Sequence, residues 1–113
     1  MVAGGVEPEL LVAARRSGEA AEVFCIGSID LGTVDAFRAQ LAEVEAWGCD
    51  TVIVDFTLTD FMDSTGLAVL ARASKAIPNL AVRHVRESIR RMLVLSGINA
   101  VIDVIGDGDP APG

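Results

Sequence analysis

Apolar positions along the chain change period as they go, and the changes mark out its elements. Leu10-Leu11-Val12-Ala13-Ala14 is a short apolar run. A second covers residues 21–26, with Val23-Phe24-Cys25-Ile26 at its heart, and the turn signal Ser17-Gly18-Glu19 lies between them. Two strands joined so closely predict an antiparallel hairpin. Gly27-Ser28-Ile29-Asp30-Leu31-Gly32 breaks the second run, and the period then becomes helical. Thr33 is the expected N-cap, with Asp35 in the first turn at the positive end of the helix dipole. Val34, Phe37, Leu41 and Val44 form one stripe, Trp47 extends it as core or edge packing, and Gly48 supplies the stop. Residues 51–56 contain the consecutive Val52-Ile53-Val54, which predicts a central strand covered on both faces. Leu67, Leu70, Ala71 and Ile77, with Ser74 on the same face, predict a second helix over 67–77 that Pro78-Asn79 ends. A fourth strand is expected over 80–85. Ile89, Met92, Leu93 and Ser96 place a third helix after Glu87 or Ser88, with Gly97 at its C-terminal stop and Ile98 folding back as the accompanying hydrophobic contact. A fifth strand is expected over 101–105.

The order β-β-α-β-α-β-α-β implies an α/β fold with one mixed sheet. An N-terminal antiparallel hairpin leads into parallel β-α-β units, packed with about three helices. The 113 residues, 51% of them hydrophobic, suffice for one core and not two. The expected organisation is a flexible N-terminus over 1–8, one domain over 9–105 and a disordered tail over 106–113. That tail is acidic and Gly-rich but lacks the remaining ligands of an acidic metal loop.

Charge narrows the partners. The net charge is -7, from 9 basic and 16 acidic residues. Such a chain is repelled by nucleic acid and by anionic membrane surfaces, so neither is expected as a direct partner. The basic residues Arg72, Lys75, Arg83, Arg86, Arg90 and Arg91 all follow position 63, and they read as a solvated face. Cys25 and Cys49 fit no metal spacing. The start lacks the basic and apolar regions of a signal peptide, and no apolar run nears the roughly 18 residues of a membrane span. A cytoplasmic location is the expectation.

Catalytic constellations are missing from the sequence. It holds no G-x-S-x-G elbow, no P-loop and no dinucleotide fingerprint after a strand, so no cofactor and no enzymatic activity are expected. His84 is the only imidazole, and it reads as structural or surface-exposed. The stretch Asp60-Phe61-Met62-Asp63-Ser64-Thr65-Gly66-Leu67 stands out instead. It places a hydroxyl, Ser64, where the second helix should begin. An N-cap there contributes about 1 kcal/mol, which is one reading of Ser64. The other is a switch. Phosphorylation would add about -1.5 to -2 charges beside Asp63 and Asp60 and repel a partner packed on the turn. Gly66, lacking a side chain, would let that partner approach closely.

Phe61-Met62-Asp63-Ser64-Thr65-Gly66-Leu67 resembles the phosphorylation motif of bacterial anti-sigma factor antagonists, the STAS domain family. Gly27-Ser28-Ile29-Asp30 is similar to the family's glycine-x-x-aspartate turn, and Val52-Ile53-Val54-Asp55 and Leu95-Ser96-Gly97-Ile98 extend the likeness over residues 9–105. The resemblance implies a protein that binds an anti-sigma factor, itself a serine kinase, and so releases a sigma factor. The kinase would spend its ATP to phosphorylate Ser64, and a PP2C-type phosphatase would restore the active form. Asp30, Asp63, Ser64, Thr65 and Gly66 match the family's partner-binding surface, on a chain expected to be a monomer when free. Many relatives carry a further helix after the last strand; with about eight residues and two prolines following it here, that helix is expected to be absent or very short. The alternative within the same fold is an accessory STAS subunit of a membrane transport complex. Such subunits often lack the serine that is present here.

Overall fold

The structure, a computed structural model, describes residues 10–106. The expected loose N-terminus, the tail from 107 onward and the question of a last helix lie outside the described residues. The elements are β1 Leu10–Ser17, β2 Ala20–Ile29, α1 Val34–Ala46, β3 Thr51–Asp55, β4 Thr59–Met62, α2 Ser64–Ala76, β5 Asn79–Arg83, α3 Glu87–Ser96, a single 3₁₀ turn Ile98–Ala100 and β6 Asp103–Ile105. One six-stranded mixed sheet runs in the order β1-β2-β3-β5-β6, with β4 also beside β2. β1 and β2 are antiparallel, and every other pairing is parallel. This is the expected α/β arrangement with three helices.

β4 was not expected. β2 runs on to Ile29, past the Gly27 that was expected to end it. β3 pairs with the first half of β2, from Ala20 to Phe24, and β4 pairs with the last three residues. Phe56-Thr57-Leu58 carries the chain between the two. Asp55 shapes that excursion by accepting from the Thr57 N–H at 2.8 Å and from the Thr57 hydroxyl at 2.5 Å, a side-chain turn typical of aspartate. The chain is then fastened back to β2, because Gly27 N donates to Leu58 O at 3.0 Å and the wholly buried Thr59 hydroxyl donates to Cys25 O at 2.8 Å.

Side chains alternate across the sheet, so each row has one face. Val23, Cys25, Val52, Val54, Leu80 and Val82 are buried together with Phe37, Leu41 and Val44 of α1, Val69 and Leu70 of α2, and Ile89 and Leu93 of α3. Each such side chain contributes about 1.5–3 kcal/mol by leaving water. Phe37 packs on Phe56 with ring centroids 6.3 Å apart. Trp47 is half-buried against this core.

Among the described residues the opposite row carries no helix. Leu11, Ala13 and Ile26 are exposed there, and Ile53, registered between Glu22 and Ala81, is only half-buried. The expectation that β3 would be covered on both faces is therefore wrong. Its parallel crossovers all advance in one direction along the sheet, and right-handed crossovers that do so place every helix on one side. The α2 stripe is also rotated from its expected position. Gly66, Val69, Leu70 and Ala73 lie deepest, while Leu67, Ala71 and Ser74 are half-buried. β5 ends at Arg83, leaving His84 in a left-handed conformation with φ 58°.

A charged ladder crosses the bare face. Glu22 is gripped by Arg15 and by Arg83, and Arg83 Nε reaches Asp55 Oδ2 at 2.9 Å. Arg15 and then Arg83 hold the Glu22 carboxyl below its usual range. Burial pushes Asp55 upward, but its bonds to Thr57 and Arg83 outweigh burial and hold it low as well. Both carboxyls have folded-state pKa values depressed below their unfolded ones. The stability they contribute is therefore present above the unfolded values near 4 and is lost as pH falls through the folded ones. Arg83→Met should cost about 2 kcal/mol at neutral pH, because it strips bonds from a buried carboxylate. The penalty should shrink on acidification below about pH 4, as thermal melts of both proteins against pH would show. A penalty independent of pH would assign the effect to packing.

Candidate functional site

The motif lies where β2 and β4 end side by side. Asp63, extended at φ -104° and ψ -171°, is the N-cap of α2. Its N–H donates to Ile29 O at 3.0 Å, which fixes it to the end of β2. Its carboxylate accepts from Thr65 N at 2.8 Å and from the Thr65 hydroxyl. The Thr65 hydroxyl, with backbone N–H groups of Thr65, Gly66 and Leu31, holds the Asp63 carboxyl below its usual range.

The cap is Asp63 and not Ser64, which corrects the expectation. Ser64 is the first residue of the helix and is exposed. Its hydroxyl has no hydrogen-bond partner among the described residues, so it is not spent on holding the fold together. Among the described residues no base is hydrogen-bonded to it.

Asp30 sits in the adjoining loop. Its carboxylate accepts from Gly32 N at 2.9 Å, and its carbonyl accepts from Thr33 N and Val34 N. Thr33 precedes α1 as expected, but its hydroxyl donates to Ser28 O at 2.8 Å instead of capping the helix. Asp60, on β4, accepts from the Ser28 hydroxyl at 2.8 Å. Asp30 thus follows the end of β2, Asp60 lies on β4, and Asp63 directly precedes Ser64. Among the described residues no group of three His, Cys, Asp or Glu side chains is placed to hold a metal ion.

Gly66 does not face outward. It is buried, and a Cβ added there would lie 2.6 Å from Met62 Cγ, 2.7 Å from Met62 Sδ and 2.8 Å from Ile29 Cγ2. The glycine lets α2 settle on the ends of β2 and β4, so its role is internal packing and not access for a partner. Thr65 is half-buried with its hydroxyl engaged by Asp63. Of the five residues expected to meet a partner, Ser64 is the exposed one, Asp30 and Asp63 shape the loops around it, and Thr65 and Gly66 hold the turn from within.

The sequence did not point to the groove beside Ser64. Leu67, Ala68, Ala71, Ile98 and Val101 line it together with Ser64, in a space of about 380 Å³ between α2 and the turn after α3. Leu31, Phe61, Leu95 and Val101 are exposed apolar side chains, Leu95 at 80% and Leu31 at 77%. Leu95 signals the exposed apolar surface and not the groove itself, since it falls off the Ile89-Met92-Leu93-Ser96 stripe and is absent from the groove's lining. The stop at Gly97 is as expected, with φ 83° and Ile98 buried.

A hairpin, three parallel crossovers on one side of the sheet and a serine held at the start of the second helix define the class. The chain belongs to the STAS domain family, whose model matches residues 12–108. Its fold is similar to the crystal structure of an anti-sigma factor antagonist from Mycobacterium paratuberculosis, with TM-score 0.80 and 20% identity over 87% of this chain and 86% of that one. A protein described as a putative anti-sigma factor antagonist from Thermotoga maritima gives TM-score 0.76 at 13% identity, covering 88% and 87%. The Bacillus cell fate determinant SpoIIAA in its phosphorylated form gives TM-score 0.65 at 17% identity, covering 87% and 92%. No curated protein matches the chain in sequence. Among the described residues no helix is long and apolar enough to cross a membrane.

Proposed function

We propose that this chain is an anti-sigma factor antagonist switched by phosphorylation of Ser64. In its unmodified form it binds an anti-sigma factor that is also a serine kinase, and the sigma factor is released. The kinase then phosphorylates Ser64 and the complex dissociates, and a PP2C-type phosphatase resets the chain. The chain is not an enzyme in this scheme. It acts in the cytoplasm as a single domain over 9–105 and as a monomer when free.

The observation that carries this reading is the hydroxyl of Ser64: exposed, without a hydrogen-bond partner among the described residues, and at the rim of an apolar groove. A kinase needs an accessible hydroxyl whose loss leaves the fold intact, and the Asp63 cap leaves Ser64 in that condition. The backbone donors at the helix start are already shared with the Asp63 carboxylate, so a phosphate on Ser64 would add to an anionic site instead of being neutralised by it. A partner seated on Leu67, Ala68 and Leu95 would have to desolvate that charge.

Affinity capture from the native host is the test. The unmodified chain should retain an ATP-binding serine kinase, and a Leu95→Asp variant should not. Recovery of a membrane transport ATPase in its place would identify the chain as an accessory subunit of such a complex.

A further inference from the structure

The bare face of the sheet holds a second, larger pocket that the Ser64 site does not use. Ala13 on β1, Phe24 and Ile26 on β2, and Leu58 in the loop before β4 form its walls, and Asp55 and Thr57 close one end. Its volume is about 440 Å³, within the range of about 300–1,000 Å³ of small-molecule sites. Three features shape it. Ala13 is small where its neighbour Leu11 is large, which leaves space over the Phe24 ring. Leu58 is held in place because its carbonyl accepts from Gly27 N. Asp55, the charged residue among the described ones that line the space, is held by Arg83, which also grips Glu22 beside Arg15. Arg15 also lies over the Phe24 ring, 5.8 Å from its centroid.

We propose that this pocket binds a small, uncharged and mainly apolar molecule. Among the described residues an ion would find no free countercharge in the lining, because Asp55 is already held by the Arg83 guanidinium. An apolar molecule would cover Phe24, Ile26 and Leu58, which water now wets in part, and would gain by their burial. A thiol does not enter the chemistry, since burial pushes Cys25 up to about 12 and leaves it inert. The site has a route to the switch: Leu58 is followed directly by β4, whose Met62 packs against Gly66 beneath Ser64. Binding itself does not depend on the role of Ser64, and the pocket opens on the face away from α2.

N-phenylnaphthylamine, an uncharged apolar fluorophore, tests the proposal on the full chain. Its emission should rise and shift to the blue, saturating at one probe per chain. Ala13→Trp, which fills the pocket from an exposed strand position, should weaken binding by about tenfold or more, equal to about 1.4 kcal/mol. Leu95→Ser, at an exposed position of α3 that does not line this pocket, should leave binding unchanged. Circular dichroism and thermal melts verify that each variant is folded, and Leu58→Ser, also at an exposed position, should likewise weaken binding if Ala13→Trp fails to fold. Non-saturating binding, or binding lost with Leu95→Ser and kept with Ala13→Trp or Leu58→Ser, would overturn it. So would sedimentation showing a dimer that excludes the probe and that Leu58→Ser dissociates, because the face would then belong to a second copy.

Discussion

Replacing Gly66 with alanine should destabilise the fold by about 1–2 kcal/mol, and replacing it with valine by about 3 kcal/mol. The first methyl meets three atoms closer than 3 Å: Cγ and Sδ of Met62, and Cγ2 of Ile29. Met62 is flexible but only 1% exposed, so it cannot swing into solvent, and β-branched Ile29 has little freedom to move. Overpacking of this kind costs about 1–3 kcal/mol, and alanine recovers up to about 1 kcal/mol of helix propensity. Valine adds two methyl groups and loses most of that recovery. Denaturant melts would measure both. Met62→Ala combined with Gly66→Ala should be less destabilised than the sum of the single changes, because Met62→Ala opens the space that the methyl at position 66 requires. If Gly66 served instead as an approach point for a partner, alanine would leave stability unchanged or improved and weaken only binding.

Ser64→Glu should weaken binding of the kinase partner by about a hundredfold, and Ser64→Ala and Ser64→Gln should weaken it by less than about threefold. Glutamate places a carboxylate one residue from Asp63, the N-cap of the same helix. In an interface these like charges lose their water, and such juxtapositions cost several kcal/mol. Glutamine has the same shape without the charge, so the Glu–Gln difference isolates electrostatics from bulk. Titration calorimetry at low and high salt would separate them further, since the glutamate penalty should fall as salt screens it. Equal losses for Glu and Gln would make the effect steric.

Much of the fold was legible because local signals agreed with one another. The stripes on α1 and α3, the αL stop at Gly97 and the hairpin turn at Gly18 each have a local physical cause. β4 was not legible. Thr59-Asp60-Phe61-Met62 does not alternate, since both ends are buried and the middle is exposed. Its pairing is also irregular, with a register shift between Gly27 and Ser28 of β2. Gly27 looked like a strand end, but its φ of 120° serves that irregularity within a strand that continues. The bare face was hidden for another reason. An apolar triplet such as Val52-Ile53-Val54 shows only that Ile53 is apolar, and cross-strand neighbours decide how far it is covered.

At the site, the stretch that matters was visible but its internal division of labour was not. Aspartate and serine are nearly equal as caps, so local preference could not choose between Asp63 and Ser64. A long-range bond chooses, because Asp63 N donates to Ile29 O and fixes Asp63 in the extended conformation a cap requires. That choice releases Ser64 from a structural task. Gly66 posed the same difficulty, since nothing in sequence separates a glycine that admits a partner from one that admits Met62.

The central claim is that Ser64 is the acceptor of a regulatory phosphoryl group. Incubation with the kinase partner and ATP, followed by intact-protein and peptide mass spectrometry, tests it most directly. The account predicts a single added phosphoryl group, located on Ser64 and absent from Ser64→Ala. Undiminished modification of Ser64→Ala, or a phosphoryl group located on Thr65 in the native chain, would contradict it.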